Sequence, residues 1–378
     1  MIENIDDNNE IKQKLENINE KIRESLDNIS NEVGKNIEAA KQQIKSRVKQ
    51  KHNFNKILKG YREIPNIQML PNIQDNFNYI INPILFSLAN LEIITQFCLL
   101  DDQERKELMK KMGNEYFITK FIDLMKNMRT NNVPNPNYQL VHQHLRALDM
   151  NNYMSQDPAL IINSILLKIQ NEINIANNYP NIITNYFTTS LRISQYCQRC
   201  GGVVKISEEN KFVIDLFLRE PDVVEDEALH SILQNLLMGE GNNQGTCVNC
   251  GGDTDITISI GGLKKYLIFN LNRKNDIFSK MKIKCSDPLK LEIKKENEEY
   301  KYKYEYELIT VLADINIDYY EPQINLENNR TEVQVFFKNF INDNYYMKIN
   351  GKYEAVPQQN FHEEISKHKP NILIYKRI

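Results

Sequence analysis

The chain has no tryptophan and only six cysteines, and no apolar run in its 378 residues approaches the roughly 18–20 residues that a membrane span needs. The polar start "MIENIDDNNE" lacks the charged-then-apolar layout of a secretory signal. An intracellular address, cytoplasm or nucleus, is therefore expected, where paired cysteines hold metal more often than they form disulfides. The "NRT" at 329–331 fits a glycosylation acceptor but has no meaning in that compartment. Charge of one sign is also missing. Forty-seven basic residues against 50 acidic ones give a formal net charge of −3, so nucleic acid is not indicated as a partner.

Residues 1–51 form the first segment, which reads as one long helix from about residue 6. Apolar residues fall at Ile11, Leu15, Ile18, Ile22, Leu26, Ile29, Val33, Ile37, Ala40, Ile44 and Val48, with polar residues between them. The pattern repeats every eleven residues, about 3.67 per turn, which gives a straight or slightly right-handed seam. Two readings stand: a solvated amphipathic helix lying on its own domain, or a helix that pairs with another protein or another copy. A stripe of about ten turns exceeds what one small face covers, which favours pairing in a coiled coil. Gly34 is a weak point, costing about 1 kcal/mol relative to alanine.

Residues 52–69, with Pro65 and no helical period, read as a linker; the remaining 70–378 read as one domain. Helical periods occupy 79–100, 103–128, 136–150 and 157–176. After about 185 the signal turns to strands, as in "KFVIDLFL", "TDITISI", "KYLIFNLNR", "YKYKYEYELITVLADI", "EVQVFFKNF", "YYMKIN" and "NILIYKRI". Helices first and strands afterwards indicate an α+β fold, not a parallel βαβ sheet.

Four of the six cysteines fall in two matched pairs, "CQRCGG" at 197–202 and "CVNCGG" at 247–252. A two-residue spacer lets both sulfurs of a pair face one ion, and the glycines permit the tight turn. Cys197, Cys200, Cys247 and Cys250 are expected to close a tetrahedral shell around one structural zinc ion, leaving no open position for chemistry. A metal-free vestige and a redox pair are the alternatives. A redox motif of the thioredoxin type would occur once, at a strand-to-helix junction. Cys98 and Cys285 sit in apolar surroundings and read as packed core.

The order of blocks resembles the catalytic domain of the ubiquitin-specific proteases, papain-like deubiquitinases whose fingers subdomain carries paired CxxC knuckles. "LPNIQDNFNYIINPILFSLAN" (70–90) is similar to that family's opening block. "SQDPALIINSILLKIQNEI" (155–173) is similar to its Gln-Gln-Asp-Ala-Gln-Glu-Phe helix, with Gln156 and Asp157 retained. "FTTSLRISQYCQRCGG", "ALHSILQNLLMGEGNNQGTCVNCGG", "LKKYLIFNLNRKNDIFSKMKIKCSDPLKLEI", "YELITVLADI" and "NILIYKRI" complete the series in order. The resemblance implies a helical thumb, a β palm and zinc-bearing fingers at about 187–262.

The catalytic residues that the resemblance calls for are not in place. Such a protease needs a thiolate, an imidazole to draw its proton and an orienting Asp or Asn. Counting back from Asn82, the cysteine position is Tyr79; counting forward from Leu70 it is Phe77. The oxyanion-stabilising Asn falls at Phe77 or Asp75. The histidine position falls on Glu332, in "NRTEVQVFFKNFINDNYYMKI", and no histidine lies between 231 and 361. The orienting position falls near Ile349 or on Asn350, which is acceptable but has no imidazole to orient. Cys98 and Cys285 are not in position to substitute, and His142, His144, His362 and His368 read as ordinary surface or loop residues.

The expected function is therefore a pseudo-deubiquitinase, not an enzyme, serving as a structural subunit of a larger assembly and contacting protein partners through the N-terminal helix. Inactive members of the family fill such roles. Tyr79, Phe77, Arg330 and Glu332 would crowd the channel through which the family threads the ubiquitin tail. A non-catalytic ubiquitin reader is the alternative, since a blocked tail channel leaves the body of ubiquitin free to be gripped; an active cysteine deubiquitinase is the remote one.

Overall fold

The computed structural model describes residues 18, 20–21, 23–25, 28, 30–38, 41–42, 54, 56–65, 78–99, 103–113, 116–130, 139–145, 157–175, 181–217, 227–229, 232–233, 241–272, 283–285, 287–294, 301–315, 333–349 and 352–378. They fall in two compact units, Met1–Gly60 and Tyr61–Ile378. In the first, every described residue from 18 to 42 is helical and exposed. Residues 54 and 56–58, read from the sequence as linker, are helical as well.

The second unit opens with helices α1 (Asn78–Ala89), α2 (Glu92–Leu99), α3 (Gln103–Met112) and α4 (Phe117–Met128), followed by α5 (Pro158–Ile175) and α6 (Ile182–Phe187). The periodic run 79–100 is two helices, bent by 78°. The break has a local cause. Asn90 turns its side-chain amide back onto the Phe86 carbonyl (3.1 Å), while the Ala89 carbonyl accepts from Thr95 Oγ1 (2.8 Å) and Arg129 Nη2 (2.6 Å). Side chains thus take the place of the next helical turn. The run 103–128 likewise divides, at Gly113, whose φ of +71° suits a helix end. The start of α4 has no side-chain cap of its own. Buried Glu172 on α5 supplies one from a distance, accepting from the backbone N–H of Phe117 (3.3 Å) and Ile118 (2.7 Å). No single described helix is long and apolar enough to cross a membrane.

The strands are β1 (Thr189–Cys197), β2 (Val203–Lys211), β3 (Val213–Phe217), β4 (Glu227–Ala228), β5 (Gly241–Thr246), β6 (Asp253–Gly262), β7 (Tyr266–Asn272), β8 (Ile283–Lys284), β9 (Leu289–Lys294), β10 (Lys301–Ala313), β11 (Gln334–Lys338), β12 (Tyr345–Ile349), β13 (Lys352–Val356) and β14 (Pro370–Arg377), with helix α7 (Gln358–Ile365) before the last. The large sheet runs β13-β12-β11-β10-β14-β7-β3, with β9 also on β10. Its pairs are antiparallel except β3 on β7. A separate four-stranded sheet, β2-β1-β6-β5, projects the region read as fingers. β3, which lies inside the same 187–262 range, belongs to the large sheet.

The large sheet divides two cores. Along β14, Ile372 and Ile374 enter the core built with α1, α2, α4 and α5, while Leu373 and Tyr375 enter a second core with α7. Val335 and Phe337 on β11, against Phe336, repeat the alternation. α1 lies on the first face, where Phe86 meets Phe337 edge-on (5.0 Å) and stacks on Tyr353 (4.7 Å).

Arg129, just past α4, ties this face together and is 1% exposed. Its Nη1 donates to the carbonyls of Arg62 (3.0 Å) and Glu63 (2.9 Å), and its guanidinium lies 5.2 Å from the Phe340 ring centroid. Asn339 Nδ2 donates to the same Glu63 carbonyl (3.0 Å), so the β11–β12 loop joins the clamp. Burial draws the guanidinium down to about 10, still charged at neutral pH. Arg129→Met should lower the unfolding free energy by about 2–4 kcal/mol, seen as a lower denaturant midpoint at unchanged slope. Arg129→Lys, which cannot reach the Ala89 and Glu63 carbonyls together, should recover less than half of the loss.

Candidate functional site

Each cysteine pair occupies a hairpin turn, one between β1 and β2, the other between β5 and β6. β1 and β6 are antiparallel neighbours with Cys197 opposite Thr254, which brings both turns to one end of the small sheet. The two turns have the same internal bonds. Cys197 N–H donates to Gly202 O (3.0 Å) and Gly201 N–H to Cys197 O (2.9 Å); Cys247 N–H donates to Gly252 O (2.8 Å) and Gly251 N–H to Cys247 O (2.8 Å). Gly201 (φ +67°) and Gly251 (φ +65°) hold the left-handed conformation that closes each turn.

The sulfurs converge. All four Sγ atoms lie within 4.8 Å of one another, with Cys197 to Cys250 at 3.3 Å and Cys200 to Cys247 at 3.9 Å. Four thiolates about 2.3 Å from a tetrahedral ion are about 3.8 Å apart, so the geometry fits a single metal ion. The thiols also differ in acidity. The backbone N–H of Cys200, 3.4 Å from Cys197 Sγ, helps draw the Cys197 thiol down to about 6. At Cys250 the Gly252 N–H pulls downward, but the neighbouring Cys197 sulfur and burial push that thiol up to about 12. A first thiolate is available near neutral pH, and a cation would draw the others to deprotonate.

The second glycines of the two pairs do different work. A Cβ on Gly252 would lie 2.6 Å from Arg199 Cβ, whereas on Gly202 it would meet only Cys200 Sγ at 3.5 Å. Arg199 crosses to the other turn, donating from Nη1 to the Cys250 carbonyl (3.4 Å). The repeated motif marks both Gly-Gly pairs alike; this asymmetry is set by the crossing of the turns.

Near the knuckles, one face of the small sheet carries three exposed apolar side chains among polar ones, with Asp255 opposite Tyr196 and Glu208 opposite Arg192. Tyr196 stands opposite Val203 and Ser194 opposite Ile206 in the β1–β2 register. Tyr196, Val203 and Ile206 are 40%, 52% and 49% exposed. A β-bulge at Gln195/Tyr196 puts Val203 on the same side as Ile206. Strict alternation would put Val204 beside Ile206, and the bulge brings Val203 there instead.

The positions matched to a protease triad are only partly within the described residues. Tyr79 is the second residue of α1; its side chain, and Phe77, Asp75, Arg330, Glu332 and Asn350 entirely, lie outside them. The flanking strands are described. β11 begins at Gln334 and β12 ends at Ile349, and their antiparallel register places those two ends together. Cys98 is wholly buried on α2 in the first core. Cys285 packs against the second core, across the large sheet from α1. His362 pairs with Asp287 (3.0 Å) and His368 with Asp314, both beside residues of that second core, and the His144 ring lies against Phe117 (5.1 Å).

The family model for ubiquitin carboxyl-terminal hydrolases matches residues 76–375. Among solved structures, the SAGA Ubp8/Sgf11/Sus1/Sgf73 DUB module bound to ubiquitin aldehyde superposes with a TM-score of 0.58 at 14% identity, over 80% of this chain and 68% of that one. The same module bound to monoubiquitin gives 0.59 at 14%, over 80% and 67%. A yeast SAGA DUB module with an altered Sgf73 gives 0.55 at 14%, over 80% and 67%. Identity this low shows a shared fold. No curated protein matches the chain.

Gly252→Ala should therefore loosen the metal site, lowering the metal-to-protein ratio after dialysis and the melting temperature. Gly202→Ala should leave both near the parent values; equal effects of the two substitutions would contradict the assigned role of Arg199.

Proposed function

The chain belongs to the ubiquitin carboxyl-terminal hydrolase family, and on that premise we propose that it is a catalytically inactive member acting as a structural subunit of a larger protein assembly. The observation that carries this reading is chemical: the positions matched to the family's nucleophile and base hold Tyr79 or Phe77 and Glu332. A tyrosine or phenylalanine supplies no thiolate, and a carboxylate there meets no thiol to activate. The locations of the remaining thiols support it, with Cys98 inside the first core and Cys285 across the sheet from α1. In the fingers the ion is one zinc, held by Cys197, Cys200, Cys247 and Cys250 in a closed shell that serves folding and not hydrolysis. The N-terminal helix is the contact arm.

A second reading, a non-catalytic ubiquitin reader, is favoured by the exposed row of Tyr196, Val203 and Ile206 on the small sheet. An apolar row on a projecting sheet suits the grip of a folded partner. The two readings part on a titration. We expect no saturable binding of ubiquitin at up to about 0.5 mM, corresponding to less than about 5 kcal/mol of affinity. Micromolar saturation, abolished by Ile206→Asp, would promote the reader. A ubiquitin probe with a C-terminal electrophile should label no cysteine; adduct formation at Cys98 or Cys285 would defeat the inactive assignment.

The assembly role has its own measurement. Removing residues 1–51 should leave the second unit folded and release the subunits that co-purify with the intact chain from its native source. Undiminished co-purification would deprive the helix of its role.

A further inference from the structure

We propose that the N-terminal helix pairs antiparallel with the same helix of a second copy of this chain. The inference rests on the helix being a contact arm, as above, but not on the loss of catalysis. Three observations carry it. Ile18, Val33 and Ile37 are 54%, 50% and 51% exposed, and at about 100° per residue their spacing keeps them within about a 100° arc. An apolar stripe left in water along a helix of this length calls for a partner.

The stripe is close to palindromic. About a centre between Ile29 and Ser30, an antiparallel copy sets Ile11 against Val48, Leu15 against Ile44, Ile22 against Ile37 and Leu26 against Val33. Most apolar positions thus meet another apolar position in the reversed direction, and the same alignment serves both copies, as a two-fold contact demands. Ile18, Ile29 and Ala40 are the exceptions, facing Lys41, Ser30 and Asn19.

Charge fixes the direction. Residues 1–27 carry eight acidic and four basic side chains, and residues 28–51 two acidic and six basic. Antiparallel pairing lays the acidic half of one copy along the basic half of the other; parallel pairing would stack like on like. The helix macrodipole accounts for such a bias only in the first and last turns, whereas here it extends over both halves. Gly34 faces open space, where an added Cβ would meet nothing within 4 Å, so it presents no obstacle to the approach of a second helix.

Sedimentation equilibrium of the full chain tests the pairing. A reversible dimer is expected, weakening about tenfold or more as salt rises from about 0.05 to 0.5 M. The double substitution Val33→Asp and Ile37→Asp should give monomers whose second unit melts at the parent temperature. Orientation is read by cross-linking with a short bismaleimide, against the parent chain as control. A mixture of Leu15→Cys and Ile44→Cys chains should form the mixed dimer, and Leu15→Cys alone should not cross-link to itself. A full chain that stays monomeric at about 100 µM overturns the self-pairing, and does so without touching the scaffold reading if foreign subunits still co-purify. Self-cross-linking of Leu15→Cys overturns the antiparallel direction.

Discussion

The strand Pro370–Arg377 is buried on both faces for most of its length, and the architecture of the second unit follows from that constraint. A strand that sends Ile372 and Ile374 one way and Leu373 and Tyr375 the other needs apolar cover on both sides. The early helices furnish one cover; α7 with Phe361 and Ile365, together with Leu229, Ile232 and Leu233, furnishes the other. Arg129 then fixes the first cover in place by binding the carbonyls of Arg62 and Glu63 and that of Ala89 at the end of α1.

The small sheet reaches the second core only at its near end, through Leu191 on β1 and Ile260 on β6. Its distal half has exposed apolar side chains and no covering helix among the described residues, and four thiols converge at its tip. Hydrophobic burial in the body and a cluster of four of the six cysteines at the tip divide the two regions.

The protein retains the parts of its family's fold that depend on packing. Hydrophobic cores accept many sequences of the right pattern and volume, whereas nucleophilic catalysis accepts very few side chains. The fold is therefore recognisable at 14% identity.

What the sequence by itself determined is whatever short spacing controls. The two CxxC pairs announced a four-sulfur site, the eleven-residue stripe announced helix where the described residues from 18 to 42 are helical, and the short apolar run in "NILIYKRI" announced a strand. The tertiary structure decided what depends on residues far apart in the chain. The break at Asn90–Leu91 follows from Thr95 and Arg129 capturing one carbonyl, and the cap of α4 comes from Glu172, 54 or 55 positions away. The exposed row on β1 and β2 depends on a bulge, and the constraint on Gly252 depends on an arginine from the other turn. Periodicity and motif spacing record only the near neighbours of a residue; carbonyl capture, tertiary capping and steric closure arise between segments that meet once the chain has folded.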